Sequence, residues 1–468
     1  MFCAGQGIGS MMTKLTVKEK LGYGSASLGD ALAYSASGTF LMFFLTTVAG
    51  IGPGAAGAIT AAGSVWNAAV NPVIGHYANL VRTRWGRRRP LMFVFSLVLA
   101  LAFFLLFTNV PMRASLKPFY YGFMLMLYWT GYTGFFVPYL ALGADYTSNY
   151  DERTTLRLYA SVFNMMGAMI SMVLPTMFVS FLEDVGLSAG AAWSAAGLTL
   201  GLLSAGSIMV TVIACRFKDP PCVTDESKAR PSAAFHPVKI LSEYISVFRL
   251  RPARYLVAAS VLSLTGYAML IAGMMYFFTY DLGLNSSGSS ALLLVRAAAG
   301  AAAIPFTGMI ARRIDKKWTL VLAYLSGIAL LTILRFTGVA GVAEMLLFTL
   351  GVMLLTSIYW QLVPSMYYDI CEYDLLETGL ERQATIVSLQ GLVEAVAIGL
   401  GSLLLGLILG AAGFADDAPA QSETALAWIF NCTTLIPAMF YIAAAVVLAK
   451  HPLGRKEYQD VLDRLGKR

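Results

Sequence analysis

Apolar runs of about 20 residues recur along the chain, and polar, charged stretches separate them. Each run is long enough to cross a bilayer as a helix, because a transmembrane helix needs roughly 20 consecutive apolar residues. Backbone polar groups must be satisfied inside lipid, so these spans are expected to be helical. The pattern predicts twelve spans, at residues 22–48, 54–81, 90–110, 118–146, 156–183, 188–215, 253–281, 287–311, 318–338, 342–370, 384–412 and 425–449.

Composition agrees with a polytopic, all-α membrane protein. Only 13% of the 468 residues are charged, against about 25% in soluble domains, and the mean hydropathy is +0.69. The sequence contains no P-loop, no GxSxG and no HExxH motif, so neither an ATP-driven motor nor an enzyme is expected, and no cofactor is predicted. Five scattered cysteines lack metal-binding spacing and are expected to be reduced thiols: Cys3, Cys215, Cys222, Cys371 and Cys432.

The distribution of basic residues predicts the orientation of the chain. If the N-terminus lies inside, the inner loops hold 29 of the 33 Lys and Arg residues. This satisfies the positive-inside rule and predicts cytoplasmic N- and C-termini in the plasma (inner) membrane. The net charge of +7 is then explained by orientation and by contact with anionic lipids, and neither nucleic acid nor an obligate protein partner is expected.

The two halves of the chain resemble each other. The segment "RTRWGRRRP" follows the second span and "ARRIDKKW" the eighth, while acidic stretches ending in a Glu-Arg pair follow the fourth and tenth. Two parallel six-helix repeats are typical of transporters. The predicted domains are a cytoplasmic tail at 1–20, a bundle at 21–216, a linker at 217–250, a second bundle at 251–450 and a tail at 451–468. Residues 1–10 receive no interpretation, because Met11-Met12 is an alternative start.

Three segments carry a family resemblance: "RWGRRRP", "PYLALGADYTSNYDERT" and "YYDICEYDLLETGLERQA". They resemble the glycoside–pentoside–hexuronide cation symporters, the melibiose permease-like family of the major facilitator superfamily. The resemblance implies the major facilitator fold with two six-helix bundles. It also implies secondary transport of a sugar or glycoside by alternating access, coupled to Na⁺, Li⁺ or H⁺.

The chain departs from this family at positions that would bind the cation. Asn67 and Asn71 occupy the places of two aspartates on the second helix, and Phe136 replaces an acidic residue on the fourth. Carboxamides are weaker Na⁺ ligands than carboxylates, so H⁺ is favoured over Na⁺ as the coupling ion. Further family residues are replaced by Asn79, Leu140, Ala160 and Ala395.

Three charged residues lie at least eight residues from either end of a predicted span, where an ionisable group costs roughly 2.5–3.5 kcal/mol. Asp30 is a candidate proton carrier or acceptor for substrate hydroxyls, or else a carboxyl bonded to Tyr23, Tyr34 or Ser27. Arg296 and Glu394 lie at similar depths in the eighth and eleventh spans. They are predicted to pair, either as a coupling switch or as a static salt bridge.

Aromatic residues offer a stacking surface for a sugar. The candidates for this surface are Tyr139 and Trp360, with Gln361 as a polar neighbour. Aromatic side chains in membrane helices more often serve packing. Charges at the inner helix ends form a second candidate set, a cytoplasmic gate or simply interfacial charge. These gate candidates are Arg84, Arg87, Asp145, Arg153, Arg312, Arg313, Asp369, Glu372 and Asp374.

The sequence therefore predicts a secondary transporter of a small solute, with a sugar or glycoside preferred and H⁺ as coupling ion. Two alternatives stay open. The chain could carry an amphipathic or anionic organic solute, or act as an uncoupled facilitator, because several sugar-binding residues are replaced and Arg296 is gained. It could also be a transport-inactive receptor or scaffold that retains the fold.

Overall fold

The computed structural model describes residues 15–81, 83, 85–146, 150–215, 244–379, 383–415 and 421–465. All regular elements in these ranges are helices, in agreement with the predicted all-α class. The first six are α1 (Val17–Phe43), α2 (Pro53–Leu80), α3 (Arg89–Leu106), α4 (Lys117–Tyr146), α5 (Tyr150–Asp184) and α6 (Ala189–Ala214). The others are α7 (Arg251–Tyr276), α8 (Ser286–Ile314), α9 (Lys316–Thr337), α10 (Val342–Thr378), α11 (Gln383–Ala411), α12 (Glu423–Thr433), α13 (Leu435–Ala449) and α14 (Arg455–Leu465).

The lengths and apolarity of these helices confirm a multi-pass membrane protein. Within the described ranges, ten helices are long and apolar enough to cross a membrane, and α12 and α13 together form one of them. The other two long helices, α2 and α4, contain 28 and 30 residues, which exceeds the roughly 20 needed to span. The C-terminal helix α14 is short and polar, and the sequence pattern did not predict it.

Local sequence signals set several helix ends. Thr16 begins α1 with a capping box: its side chain accepts a hydrogen bond from the Glu19 amide, and the Glu19 carboxylate accepts one from the Thr16 amide. Gly338 and Gly379 end α9 and α10 with positive φ angles of 83° and 70°. Glycine adopts these angles without the steric cost that a Cβ atom would add.

The chain divides into two compact units. The first contains the described parts of Met1–Phe44 and Ala69–Phe235, and the second contains Leu45–Ala68 and the described parts of His236–Arg468. In the first unit, α1 packs on α5 and α6, and α3 packs on α4 and α6. In the second unit, α7 packs on α11 and α13, α9 on α10, and α8 on α10. The boundary between the units falls inside α2, and most of the predicted linker 217–250 lies outside the described residues.

Small residues allow the helices to approach closely, as is typical of membrane bundles. A Cβ atom at Gly167 of α5 would lie 2.4 Å from the Leu28 carbonyl oxygen of α1. A Cβ atom at Gly401 of α11 would lie 2.3 Å from the Thr265 carbonyl oxygen of α7. Both distances are far inside van der Waals contact, so these two helix crossings require glycine.

The first helix of each predicted half ends in a π-helical turn. Phe44–Val48 follows α1, and Phe277–Asp281 follows α7. Within the second unit, the Thr46 hydroxyl lies 2.7 Å from the Tyr276 hydroxyl, in hydrogen-bond contact. π-helical turns are rare and recur at functional positions, and here they occupy corresponding positions of the repeat.

The α7–α11 contact gives a stability prediction. Gly401→Ala is expected to lower the free energy of unfolding by roughly 1–3 kcal/mol, because its new methyl group overlaps backbone that cannot move independently. Gly391→Ala on the same helix is the matched control, since a Cβ atom there meets no atom within 4 Å. The control is expected to stabilise by about 0.5–1 kcal/mol through helix propensity. Thermal unfolding in detergent micelles measures both, and equal effects would contradict close packing at Gly401.

Candidate functional site

The Asp30 carboxylate is the centre of a hydrogen-bond network in the first unit. Its Oδ1 accepts a hydrogen bond from the Tyr132 hydroxyl at 2.7 Å, and its Oδ2 accepts one from the Asn164 side-chain amide at 3.1 Å. The three residues come from α1, α4 and α5. Both carboxylate oxygens therefore accept hydrogen bonds, which stabilises the ionised form and fixes the carboxylate orientation.

Aromatic rings surround this carboxylate. The Tyr132 ring stacks on Phe136 with a centroid distance of 5.4 Å and an interplanar angle of 18°. Trp129 and Tyr34 contact the same Tyr132 ring, with centroid distances of 5.4 Å and 6.2 Å. Tyr34 and Phe136 are only half-buried, so the cluster presents ring faces beside the Asp30 carboxyl group.

Helix periodicity explains how these side chains meet. Tyr132 and Phe136 lie four residues apart on α4, and Asp30 and Tyr34 lie four apart on α1, so each pair shares a helix face. The predicted partners of Asp30 do not bond it. Ser27 instead makes a 2.7 Å hydrogen bond with Tyr139, and Tyr23 stacks on that same Tyr139 ring at 4.7 Å. Tyr139 is 1% exposed, so the structure places this candidate in the α1–α4 contact.

A second cluster in the second unit contains the buried Arg296, whose side chain is 8% exposed. Its guanidinium interacts electrostatically with the Tyr267 hydroxyl. The Tyr267 ring meets Trp360 edge to face at 6.0 Å. The structure thus brings together two residues singled out from the sequence, Arg296 and Trp360, and adds Tyr267. Gln361, the neighbouring candidate, is half-buried.

The predicted ion pair between Arg296 and Glu394 is not formed, and this expectation is corrected. The Glu394 carboxylate instead accepts a 2.7 Å hydrogen bond from the Gln390 side-chain amide, one turn earlier on α11. Similar depth did not make the two charges neighbours, because Arg296 lies on α8, which packs on α9 and α10. Glu394 lies on α11, which packs on α7 and α10.

Asn67 and Asn71 lie on α2 as predicted, four residues apart. Asn67 is half-buried and belongs to the second unit, and Asn71 is exposed and belongs to the first. Four-residue spacing places the two carboxamides on the same helix face. The boundary between the two units therefore falls in the helical turn of α2 between Asn67 and Asn71.

The inner end of α10 holds three of the gate candidates. Asp369 forms a salt bridge with Lys316 of α9 at 2.7 Å. Glu372 accepts a hydrogen bond from the Tyr458 hydroxyl of α14. Asp374 is fully buried and accepts a hydrogen bond from the Thr378 hydroxyl at 3.1 Å. The acidic cluster is thus held by α9, α10 and α14 within one unit.

Arginines of the loop between α2 and α3 contact backbone carbonyls. Arg88 donates to the Ala78 carbonyl oxygen at 3.1 Å, and Arg89 donates to the Val212 carbonyl oxygen at 2.6 Å. These carbonyls lie near the C-termini of α2 and α6, where cations are favoured by the helix dipole. Among the gate candidates, Arg87 and Arg313 are exposed. Arg84 and the side chains of Asp145, Arg153 and Arg312 lie outside the described residues.

The C-terminal segment is docked on the turn between α8 and α9. The Asp315 carboxylate accepts hydrogen bonds from the Lys317 amide at 3.4 Å and from the Arg455 amide at 2.9 Å. The Lys317 ammonium donates to the His451 carbonyl oxygen at 3.0 Å. Asp315 has a φ angle of 125°, a strained conformation for a residue with a Cβ atom. The Asp315 carboxylate stabilises this conformation by accepting hydrogen bonds at the starts of α9 and α14.

His451 makes this docking sensitive to pH. Its side chain is 2% exposed and its Nδ1 accepts a hydrogen bond from the Leu453 amide at 3.3 Å. Burial lowers the pKa of His451 from 6.5 to about 4. Nearby, burial and the Glu372 carboxylate raise the pKa of the Tyr458 hydroxyl.

Acid is therefore expected to release the C-terminal segment. The undocked histidine binds a proton below about pH 6.5 and the docked one only below about pH 4, so docking weakens as pH falls through this window, by up to ~3 kcal/mol. Hydrogen–deuterium exchange of residues 451–465, corrected for intrinsic rates, measures the release. His451→Asn keeps an acceptor but does not titrate, so its exchange should be independent of pH in this window. An unchanged pH dependence in that variant would refute the role of His451.

Several residues of these clusters were missed from the sequence. Tyr132 and Asn164 bond Asp30 but lie 102 and 134 residues away along the chain, and no sequence motif marks Tyr267. A usable signal exists for Asn164, because an isolated amide in the fifth span lies at a depth where a polar group needs a partner.

Comparison with known proteins places the chain in a family. The model of the MFS/sugar transport protein family matches residues 22–455. A symporter from Synechocystis sp. is 25% identical, with 97% of each chain covered. The isoprimeverose transporter of Lactiplantibacillus pentosus is 22% identical, covering 95% of this chain and 90% of the relative. The mouse sphingosine-1-phosphate transporter MFSD2B is 24% identical, covering 97% and 93%.

The fold also matches solved transporters. The crystal structure of the nucleoside transporter NupG superposes with a TM-score of 0.68 at 11% identity, covering 92% of this chain and 98% of that one. This likeness shows the fold alone. Together with the family match over nearly the whole chain, it identifies the protein as a member of the MFS/sugar transport protein family, a secondary transporter of small solutes in a membrane and not an enzyme.

Proposed function

We propose that the protein moves a sugar or glycoside across the membrane by alternating access, coupled to H⁺. The Asp30 network carries this proposal. An ionised carboxylate held by Tyr132 and Asn164 is a strong acceptor for the hydroxyl groups of a sugar. The ring faces of Phe136 and Tyr34 beside it suit the apolar face of a pyranose.

Similarity to a transporter of isoprimeverose supports the same solute class. Isoprimeverose is a disaccharide of xylose and glucose, with many hydroxyl groups and no charge. A site for such a molecule needs fixed hydrogen-bond acceptors and aromatic surfaces, and few unpaired charges. The Asp30 cluster has this composition.

The distribution of basic residues supports the membrane placement. Both termini are proposed to face the cytoplasm in the plasma (inner) membrane, because 29 of the 33 Lys and Arg residues fall in loops on that side. Under this orientation, the docked C-terminal segment and the Lys316–Asp369 salt bridge belong to the cytoplasmic surface, where a gate between transport states would act.

The choice of H⁺ follows from the residues that can carry charge. The carboxamides of Asn67 and Asn71 neither titrate nor supply the negative charge that would favour Na⁺. Asp30 and Glu394 are carboxyl groups inside spans, where a neutral, protonated form relieves the cost of an isolated charge. Asp30 and Glu394 can therefore provide proton coupling, whereas the two carboxamides cannot.

A second candidate function rests on Arg296. This buried guanidinium lies beside Tyr267 and the edge of Trp360, a combination that suits an anionic head group next to an apolar body. Similarity to a transporter of sphingosine-1-phosphate supports a carrier of an amphipathic anion. Arg296→Gln should abolish transport of such a solute and leave sugar transport measurable.

Uptake into proteoliposomes tests the leading proposal. With isoprimeverose as probe, accumulation is expected under an imposed pH gradient and not under a Na⁺ gradient. Asp30→Asn should weaken the apparent affinity roughly ten- to hundredfold, the loss expected when a charged hydrogen-bond acceptor is removed. The matched control is Asp184→Asn, an exposed aspartate at the end of α5, which should transport like the unmodified protein.

The outcomes separate the alternatives. Equilibration without accumulation under either gradient would indicate an uncoupled facilitator. Transport of sphingosine-1-phosphate but of no sugar would favour the anionic solute. No flux of any solute, with intact folding, would favour a receptor or scaffold.

The two asparagines on α2 give a separate prediction. The double change Asn67→Asp and Asn71→Asp is expected to make solute accumulation dependent on Na⁺, because two carboxylates on one helix face supply the ligands and charge that carboxamides lack. Uptake in Na⁺ and in choline medium, at equal ionic strength, measures the effect. A folded double variant that remains indifferent to Na⁺ would show that the two amides serve helix packing.

A further inference from the structure

Among the described residues, three buried hydroxyl groups of the second unit lie close to one another but lack a well-aligned hydrogen bond. They belong to Ser260 of α7 and to Tyr359 and Tyr367 of α10. Their side chains are 2%, 3% and 1% exposed. A buried polar group without a partner costs roughly 1–3 kcal/mol, so three together indicate that the site is completed by something the protein binds.

These hydroxyl groups lie around one carboxyl group. Glu394 of α11 acts electrostatically on the phenols of both Tyr359 and Tyr367. Ser260 lies next to the same two phenol hydroxyls. The three helices α7, α10 and α11 pack against one another, so the four polar side chains converge at a three-helix junction.

Glu394 lies inside the predicted eleventh span. It is eleven residues from the start of α11 at Gln383, about 16 Å along the helix at 1.5 Å per residue. Tyr367 lies two residues before Asp369, towards the inner end of α10. An ionised carboxylate is costly at this depth.

The charges around Glu394 leave it without a compensating cation. Among the described residues no basic side chain forms an ion pair with it, and its hydrogen-bond donor is the Gln390 amide on its own helix. The titratable groups that face it are the phenols of Tyr359 and Tyr367 from α10, while α7 contributes the Ser260 hydroxyl. Binding of a proton would neutralise the Glu394 carboxylate.

Glu394 and Asp30 differ in how their oxygens are used. Both oxygens of Asp30 accept hydrogen bonds from donors in the first unit, which holds that carboxyl group in one orientation. Glu394 has one amide donor, and the phenols of Tyr359 and Tyr367 lie near enough to interact with it electrostatically. A hydroxyl can donate to an ionised carboxylate and accept from a protonated carboxyl, so this environment satisfies both protonation states.

We propose that Glu394, together with Ser260, Tyr359 and Tyr367, forms a proton-binding site in the second unit, separate from Asp30. A hydronium ion transfers its proton to a Glu394 carboxylate oxygen and leaves as water, and the nearby phenol hydroxyls, which do not bond Glu394 in this structure, reorient around it. Release reverses both changes. The inference rests on the proposed H⁺ coupling, and it assigns the proton to Glu394 and the solute hydroxyls to Asp30.

Proton binding can be measured on the purified protein without any solute. Infrared difference spectra between acidic and alkaline buffer should contain the C=O band of a protonated carboxyl, and Glu394→Gln should lose it. Asp30→Asn should retain it. Glu423→Gln, an exposed carboxylate at the start of α12, is the matched control and should also retain it. Circular dichroism and gel filtration establish that each variant is folded.

Hydroxyl variants test the surrounding residues while Glu394 stays in place. Tyr359→Phe and Tyr367→Phe remove donors to the ionised carboxylate, so the midpoint of the band in a pH titration should move upward by about one pH unit. Tyr120→Phe, whose hydroxyl bonds the Leu105 carbonyl in the first unit, should leave the midpoint unchanged.

Two results would overturn the proposal: persistence of the carboxyl band in folded Glu394→Gln, or its loss in Asp30→Asn. The proposed solute can fail independently, because these spectra contain no sugar. In proteoliposomes, Glu394→Gln should lose accumulation driven by a pH gradient while retaining exchange of solute between the two sides. Accumulation at the unmodified level in that variant would also overturn the assignment.

Discussion

Every backbone polar group inside the bilayer must find its hydrogen-bond partner within the protein, and this constraint shapes the rest of the structure. It accounts for the helices and for the glycines at their crossings. Gly167 and Gly401 bring backbones together so closely that a single methyl group would overlap a carbonyl oxygen. The same constraint selects the partners of Asp30, because a carboxylate at that depth is tolerated only when donors from α4 and α5 are held against it.

The two intramembrane carboxyl groups illustrate two solutions to one electrostatic problem. Asp30 is held in one orientation by directed donors, which suits the proposed recognition of a solute. Glu394 lies near hydroxyl groups that accept as readily as they donate, which suits the proposed gain and loss of a proton. Under this proposal, the group that recognises the solute and the group that changes charge belong to different units. A transporter needs such a separation if binding of one species is to change the state of the other.

Much of the fold was predictable from the sequence, because span length and loop charge depend only on local composition. The predicted spans correspond to α1–α11 and to α12 with α13.

Contacts between helices were less predictable than the helices themselves. Position along a helix can be counted from the sequence, but facing direction and neighbour order cannot, and the main partners of α8 and α11 differ. Asp30 was recognised by its charge, whereas Tyr132 and Asn164 became its partners only through packing of helices distant in the sequence. The sequence did not predict the docked helix α14. Its contacts with Asp315 and Glu372 involve one backbone amide and one side chain, and neither leaves a recognisable sequence motif.

The π-helical turns that end α1 and α7 have a consequence for the history of the chain. Such a turn contains one residue more than an α-helical turn. The extra residue rotates the side chains that follow it to a different face of the helix. Phe44–Val48 and Phe277–Asp281 hold this irregularity at corresponding points of the two repeats. Two independent insertions at one point would be a coincidence, whereas one insertion copied by gene duplication explains both. A shared backbone irregularity at these positions is what duplication of a six-helix half would leave.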